Sequence, residues 1–265
     1  MYTIFAGTNS WAEWRATAGA LLNGDGWGDG PDVSAYEAAF AKRVGAACAV
    51  SFGAGRHALY AILEALGIGA GDEVLIPAFT CVVVPNAVLY RGARPVYVDI
   101  DPLTFNIDVE CAARAITPRT RAIIAQHTFG LPCDLDALLA VATPGIVVIE
   151  DCAHALGASL NGRPVGSIAP VAYFSTDHTK MISTVIGGMV TARDAELGER
   201  IREIQRRSIP PSAAQARRIA RTFLAEFLLF DPRLARVGSR LFGAGARMGQ
   251  WSFYTDELET TRPAR

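Results

Sequence analysis

From Ala46 onward this 265-residue chain repeats one rhythm, and that rhythm limits the folds open to it. Short runs rich in β-branched residues at Ala47–Phe52, Glu73–Pro77, Arg94–Asp99, Arg121–Gln126, Gly145–Asp151, Val171–Ser175 and Gly187–Ala192 read as strands. Helical patterns over His57–Leu66, Val82–Tyr90, Val109–Ile116 and Asp134–Val141 separate most of them. Such alternation predicts an α/β domain: a mostly parallel seven-stranded sheet with helices on both faces. Binding and reacting groups then belong at the carboxyl ends of the strands.

The two ends break the rhythm. Residues 1–31 are rich in Gly and Trp and read as a loop-forming N-terminal arm, followed by a helix over Val33–Val44. Residues 32–207 form the expected domain, closed by a charged helix over Asp194–Arg207 that Ser208-Ile209-Pro210-Pro211 stops. Residues 208–265 are expected to be a helical extension. Within it, Ala213–Phe230 sets Ile219, Phe223, Phe227 and Leu228 on one side and arginines on the other, and Pro232–Phe242 repeats that character. Residues 200–265 carry 13 arginines against six acids. A basic amphipathic helix suits either a membrane surface or the flank of a domain or partner subunit.

Global properties exclude several classes. A formal net charge of −1 gives no footprint for nucleic acid. The five cysteines (Cys48, Cys81, Cys111, Cys133, Cys152) contain no CxxC pair and form no even framework, as expected in a reducing compartment. Met1–Ser10 lacks the basic-then-apolar pattern of a secretion signal. No apolar run approaches the roughly 18 residues of a transmembrane span. The expected location is cytoplasmic.

Against this background one side chain stands out. Lys180 is one of two lysines among 25 basic residues. An amine can lose its proton and attack a carbonyl, whereas a guanidinium stays charged and is a poor nucleophile. Asp151 closes the strand Gly145–Asp151, where a buried carboxylate needs a cationic partner. A lysine for a Schiff base and a carboxylate for a ring nitrogen together suit pyridoxal 5′-phosphate (PLP). Ser51-Phe52-Gly53-Ala54-Gly55-Arg56-His57 turns from a strand into a helix, whose first N–H groups attract phosphate, with Arg56 placed to add a charged contact. Ser175, five residues before Lys180, can reach the same phosphate, and His154 the hydroxyl side of the ring. Gly187-Gly188 permits close backbone approach.

In order and spacing these segments resemble the DegT/StrS-type aminotransferases over about residues 20–200. Gly71–Thr80, Pro95–Asp101, Glu150-Asp151-Cys152-Ala153 with Gly157-Ala158, Phe174-Ser175 ahead of Lys180, and Gly187-Gly188-Met189-Val190 carry the likeness. The resemblance implies the large domain of PLP fold type I and a homodimer. It implies transfer of an amino group from an amino acid, glutamate, to a keto-sugar nucleotide or similar carbonyl. It assigns Lys180 as Schiff-base lysine and proton shuttle and Asp151 to the ring nitrogen. Gly55, Arg56 and Ser175 surround the phosphate, and His154 stands where the family commonly has glutamine. Three departures are visible: Arg56 replaces a threonine of the phosphate loop, Cys81 replaces an aromatic that stacks on the ring, and Val185-Ile186 replaces Gly-Glu. Cys81 reads as a packing residue. Relatives continue into a smaller C-terminal domain, which this chain is expected to lack. A second reading follows, that of a non-transaminating or regulatory paralogue of the same fold.

Overall fold

The computed structural model describes residues 9–23, 30–177 and 179–229, together with residues 238, 240, 241 and 244. In chain order the elements are α1 (Trp11–Asn23), α2 (Pro31–Val44), β1 (Cys48–Phe52), α3 (Gly55–Ala65), β2 (Glu73–Pro77), α4 (Val83–Tyr90), β3 (Arg94–Val98), α5 (Val109–Ala115), β4 (Thr120–Gln126), α6 (Leu135–Val141) and β5 (Val147–Asp151). A short hairpin of β6 (Ser159–Leu160) and β7 (Arg163–Pro164) follows, then β8 (Val171–Ser175), β9 (Gly188–Ala192), α7 (Ala195–Arg207) and α8 (Ala213–Leu229).

Seven strands form one sheet in the order β1-β9-β8-β5-β4-β2-β3. Neighbours from β8 through β3 run parallel, while β9 is antiparallel to both β1 and β8. The central strands are covered on both faces, which explains their unbroken apolar runs: all five residues of β2 are buried, as are the last four of β5. Leu59, Ile62 and Leu63 of α3 pack with Val74, Ile76, Ile124, Ile149, Tyr173 and Val190 in the main core. All seven expected strands are present, β2 and β8 with the residues read from the sequence.

The chain divides into two compact units. The sheet lies in the larger, residues 34–175 and 188–208; the smaller gathers described residues from 1–33, 176–187 and 209–265. Within the smaller unit the expectation of a loop-forming arm over residues 1–31 is corrected, because Trp11–Asn23 is helical. Ser10 and Glu13 form a capping box there: the Ser10 N–H and hydroxyl both donate to the Glu13 carboxylate, and Ser10 Oγ accepts from the Ala12 N–H at 3.2 Å.

The apolar stripe of α8 also meets its own chain. Trp11 lies edge-on to Phe227 with ring centroids 4.9 Å apart, and Trp14 Nε1 donates to the Leu224 carbonyl at 3.4 Å. Phe223 is buried, while Leu228 stays exposed. The segment Pro232–Phe242 lies largely outside the described residues. No described helix is long and apolar enough to cross a membrane.

Candidate active site

The larger unit presents a cradle where β1 turns into α3. The helix begins after Ala54, and no side chain caps it, so its first N–H groups remain for a ligand. Backbone crowding shapes the floor. A Cβ on Gly188 would fall 2.5 Å from the Ala54 carbonyl and 2.6 Å from the Gly55 nitrogen; one on Gly55 would fall 3.1 Å from Ser175 Cβ. Glycine is required at 188 for this approach. Arg56 is the second residue of α3, its Nη1 buried and without a hydrogen-bond partner among the described residues. A buried guanidinium nitrogen left unpaired is what an anion site shows before its anion arrives. Burial, then the charge of Arg56, lowers the pKa of the neighbouring His57, consistent with positive potential here.

At the end of β5, alternation sends Glu150 and Asp151 to opposite faces of the sheet. Glu150 is fully buried and accepts from the N–H groups of Gly166 (2.6 Å), Ile168 (2.9 Å) and Ala169 (2.7 Å), so it anchors the turn that launches β8. His127 Nδ1 accepts from the Cys133 N–H at 3.1 Å, which leaves Nε2 to carry the proton toward Glu150 Oε2 at 3.2 Å. Glu150, His127 and Cys152 offer atoms within 4.8 Å of one another. The Glu150 carboxylate and the His127 ring are already engaged in this network, and burial with the charges of Glu150 and Asp151 pushes the Cys152 thiol well above its ordinary pKa. The cluster is a hydrogen-bonded structural centre.

Asp151 has a different environment. It is 4 % exposed, its Oδ1 accepts the Ala153 N–H at 3.0 Å, and no basic side chain pairs with it among the described residues. A buried carboxylate in this state favours a cationic or N–H-bearing ligand. Opposite it in register on β8 stands Tyr173, whose pKa is pushed well above the usual phenol range by burial, then by Asp151.

The carboxyl edge also collects aromatic rings. His154 is exposed and stacks on Phe129 at 5.7 Å with 10° between planes, so it is not a core histidine. Phe129 is 73 % exposed, and Phe79 and Phe105 extend the row at centroid distances of 6.1 and 5.3 Å. Phe105 and Phe129 both sit in the left-handed region, φ 59° and 52°. Thr128 holds them there: its N–H donates to Asn106 Oδ1 and its hydroxyl to the Phe105 carbonyl. Such strain is held where surrounding contacts over-determine it and clusters at functional sites. Cys81, expected to pack, is exposed instead.

Lys180 lies in the smaller unit, on the loop joining β8 to β9. Thr176 and Thr184 tie the loop's base: Thr176 N–H donates to Gly187 O, Thr184 N–H to Thr176 O, and the two hydroxyls meet at 2.8 Å. A Cβ on Gly187 would strike both hydroxyl oxygens at 2.3 Å. Asp177 organises the next turn, accepting from the Thr179 N–H and hydroxyl, and its Oδ2 lies 3.9 Å from Lys180 Nζ. The amine is thus largely shielded, 16 % exposed, with one carboxylate beside it.

A mostly parallel seven-stranded sheet with helices on both faces is the architecture of the large domain of PLP enzymes of fold type I. The chain belongs to the DegT/DnrJ/EryC1/StrS aminotransferase family, whose family model matches residues 11–250. It is similar to GDP-perosamine synthase of Caulobacter vibrioides, 42 % identical over 67 % of this chain and 48 % of that protein. It is 44 % identical to a UDP-N-acetyl-3-dehydro-alpha-D-glucosamine 3-aminotransferase of Acidithiobacillus ferrooxidans over 64 % of this chain and 47 % of that one. Among solved structures, a sugar-aminotransferase-like protein of Streptococcus pneumoniae in its PLP form superposes with TM-score 0.70 at 30 % identity, over 75 % of this chain and 55 % of that one. The chain spans about half the length of the curated relatives it matches. The family's cofactor is pyridoxal phosphate, and the orphaned Arg56 nitrogen, the uncapped α3 and the unpaired Asp151 fit it.

Proposed function

We propose that this protein transfers an amino group from an amino-acid donor, glutamate, to a keto-sugar nucleotide or a similar carbonyl substrate. The observation that carries the reading is the buried Asp151 carboxylate, paired with no basic side chain among the described residues, in the same compact unit as Arg56, whose buried Nη1 has no hydrogen-bond partner among them. The names of the relatives support a nucleotide-linked sugar as acceptor. Arg56, the first N–H groups of α3 and the Ser175 hydroxyl would bind the phosphate. Asp151 would hold a proton at the ring nitrogen, and His154 would face the ring hydroxyl. Bound PLP supplies a carbonyl carbon for an amine and a ring that accepts the electron pair left when a neighbouring carbon loses its proton. Lys180 would supply the amine that holds that carbon and would carry the proton, a task for an amine whose environment is partly desolvated. A homodimer is part of the reading, supported by the exposed row Phe79, Phe105 and Phe129.

Borohydride reduction of the PLP-loaded protein should fix the cofactor's mass on the peptide bearing Lys180. Lys180→Ala and Lys180→Arg should both lose that label and all amine transfer from glutamate, since a guanidinium cannot replace the amine. Turnover retained in either variant, or a label on another residue, would overturn the assignment.

A further inference from the structure

Tyr173 carries chemistry that the reading above leaves unused. It sits in the middle of β8, 3 % exposed, with its ring in the main core. Its hydroxyl oxygen is buried and makes no hydrogen bond of ordinary geometry among the described residues. Buried tyrosines normally find a partner for the hydroxyl, so an orphan of this kind marks either a cost without return or a bond completed by a ligand. Register decides what it faces. Tyr173 is the direct partner of Asp151 across the parallel β5–β8 pair, so both side chains leave the same face of the sheet. The groups that act on the phenol mark the neighbourhood: burial first, then Asp151 by charge and by side-chain hydrogen bonding, then Cys152 and Cys81. Burial, then the Asp151 carboxylate, keeps the phenol protonated, and therefore a donor.

Asp151 has room for that donor. Its Oδ1 accepts from the Ala153 N–H, and the phenol already lies near enough to act on the carboxylate without a hydrogen bond of ordinary geometry. Cys81, from the segment after β2, acts on the same hydroxyl and supplies no ring of its own.

We propose that Tyr173 is a positioning residue, whose hydroxyl donates to the second oxygen of Asp151 when a cofactor ring occupies the site and so fixes that carboxylate against the ring nitrogen. The inference rests on the assignment of Asp151 to a PLP site. Without ligand the hydroxyl makes no well-formed bond to that carboxylate; a ring that fixes the carboxylate would complete it. Removing it should therefore leave the unliganded protein as stable as before and weaken the liganded one.

Tyr173→Phe tests this, because it deletes one oxygen and keeps the ring that fills the core. The unliganded variant should unfold at or above the wild-type temperature. Titration with PLP, followed by absorbance, should show roughly tenfold weaker binding, in line with the loss of one hydrogen bond to a charged acceptor. The midpoint of the bound cofactor's absorbance change with pH should rise, since Asp151 then presents more negative charge to the ring. In an Asp151→Asn background, Tyr173→Phe should change PLP affinity by less than about twofold, because the two act as a unit. A purely structural tyrosine would instead lower the unfolding temperature of the unliganded protein and leave affinity and midpoint unchanged; that outcome overturns the inference. If the wild type takes up no PLP, the active-site reading itself fails; if wild type and Tyr173→Phe bind PLP equally, only the role of Tyr173 fails.

Discussion

A guanidinium nitrogen buried without a partner, as Arg56 Nη1 is, lowers stability until an anion reaches it. Arg56→Ala should accordingly weaken PLP binding more than it slows turnover, because a phosphate contact is the same in ground and transition states. A charge-assisted bond is worth about 1.5–3 kcal/mol, so cofactor affinity should fall roughly tenfold to hundredfold while kcat at saturating PLP changes little. An unchanged titration would place the guanidinium elsewhere. At this scale the burial of Asp151 and the glycine turn at Gly55 were legible in the sequence, and strand alternation separates Glu150 from Asp151. The roles of Gly55, Asp151, Ser175 and Lys180 stand as proposals. What Glu150 grips was not legible, since the turn Gly166–Ala169 returns to it only in three dimensions. Tyr173 was hidden for a related reason: its meaning depends on the β5–β8 register, and nothing in the run Val171–Ser175 announces its partner.

Among the elements, α8 holds the clearest pH signature. Glu226 is 7 % exposed, one of its carboxylate oxygens has no hydrogen-bond partner, and burial followed by the charge of Asp177 pushes its pKa from 4.5 to about 7. A carboxyl raised in the folded state favours folding while protonated. Its contribution is complete below about pH 4.5 and is lost as pH rises through 7. The loss is on the order of 3 kcal/mol at most. Thermal unfolding at pH 5 and pH 8 should therefore show a drop for the wild type that is smaller in Glu226→Gln; identical drops would show that Glu226 ionises freely. The strands were easy to foresee because two-sided burial writes continuous apolar runs. Helix α1 was missed because Gly and Trp around it suggest a loop, although Ser10 and Glu13, three residues apart, carry the capping signal. The stripe on α8 was visible, but not that Trp11 would meet it.

For the whole molecule, the proposed homodimer has a direct test. Sedimentation at tens of micromolar should give twice the mass of one chain, and Phe129→Asp, which places a charge on the most exposed ring of the aromatic row, should shift the population toward monomer. A monomeric wild type would show that those rings serve another purpose. The composition of the smaller unit has a separate consequence, for the order in which the molecule is made. The lysine loop shares that unit with segments from both ends of the chain, and Asp177 on the loop acts on Glu226 of α8. As synthesis proceeds from the N-terminus, all seven strands emerge before α8 does. A nascent chain that has cleared the ribosome as far as Ser208 would therefore already hold the sheet and the phosphate cradle, while the surroundings of Lys180 waited on residues still inside the ribosome.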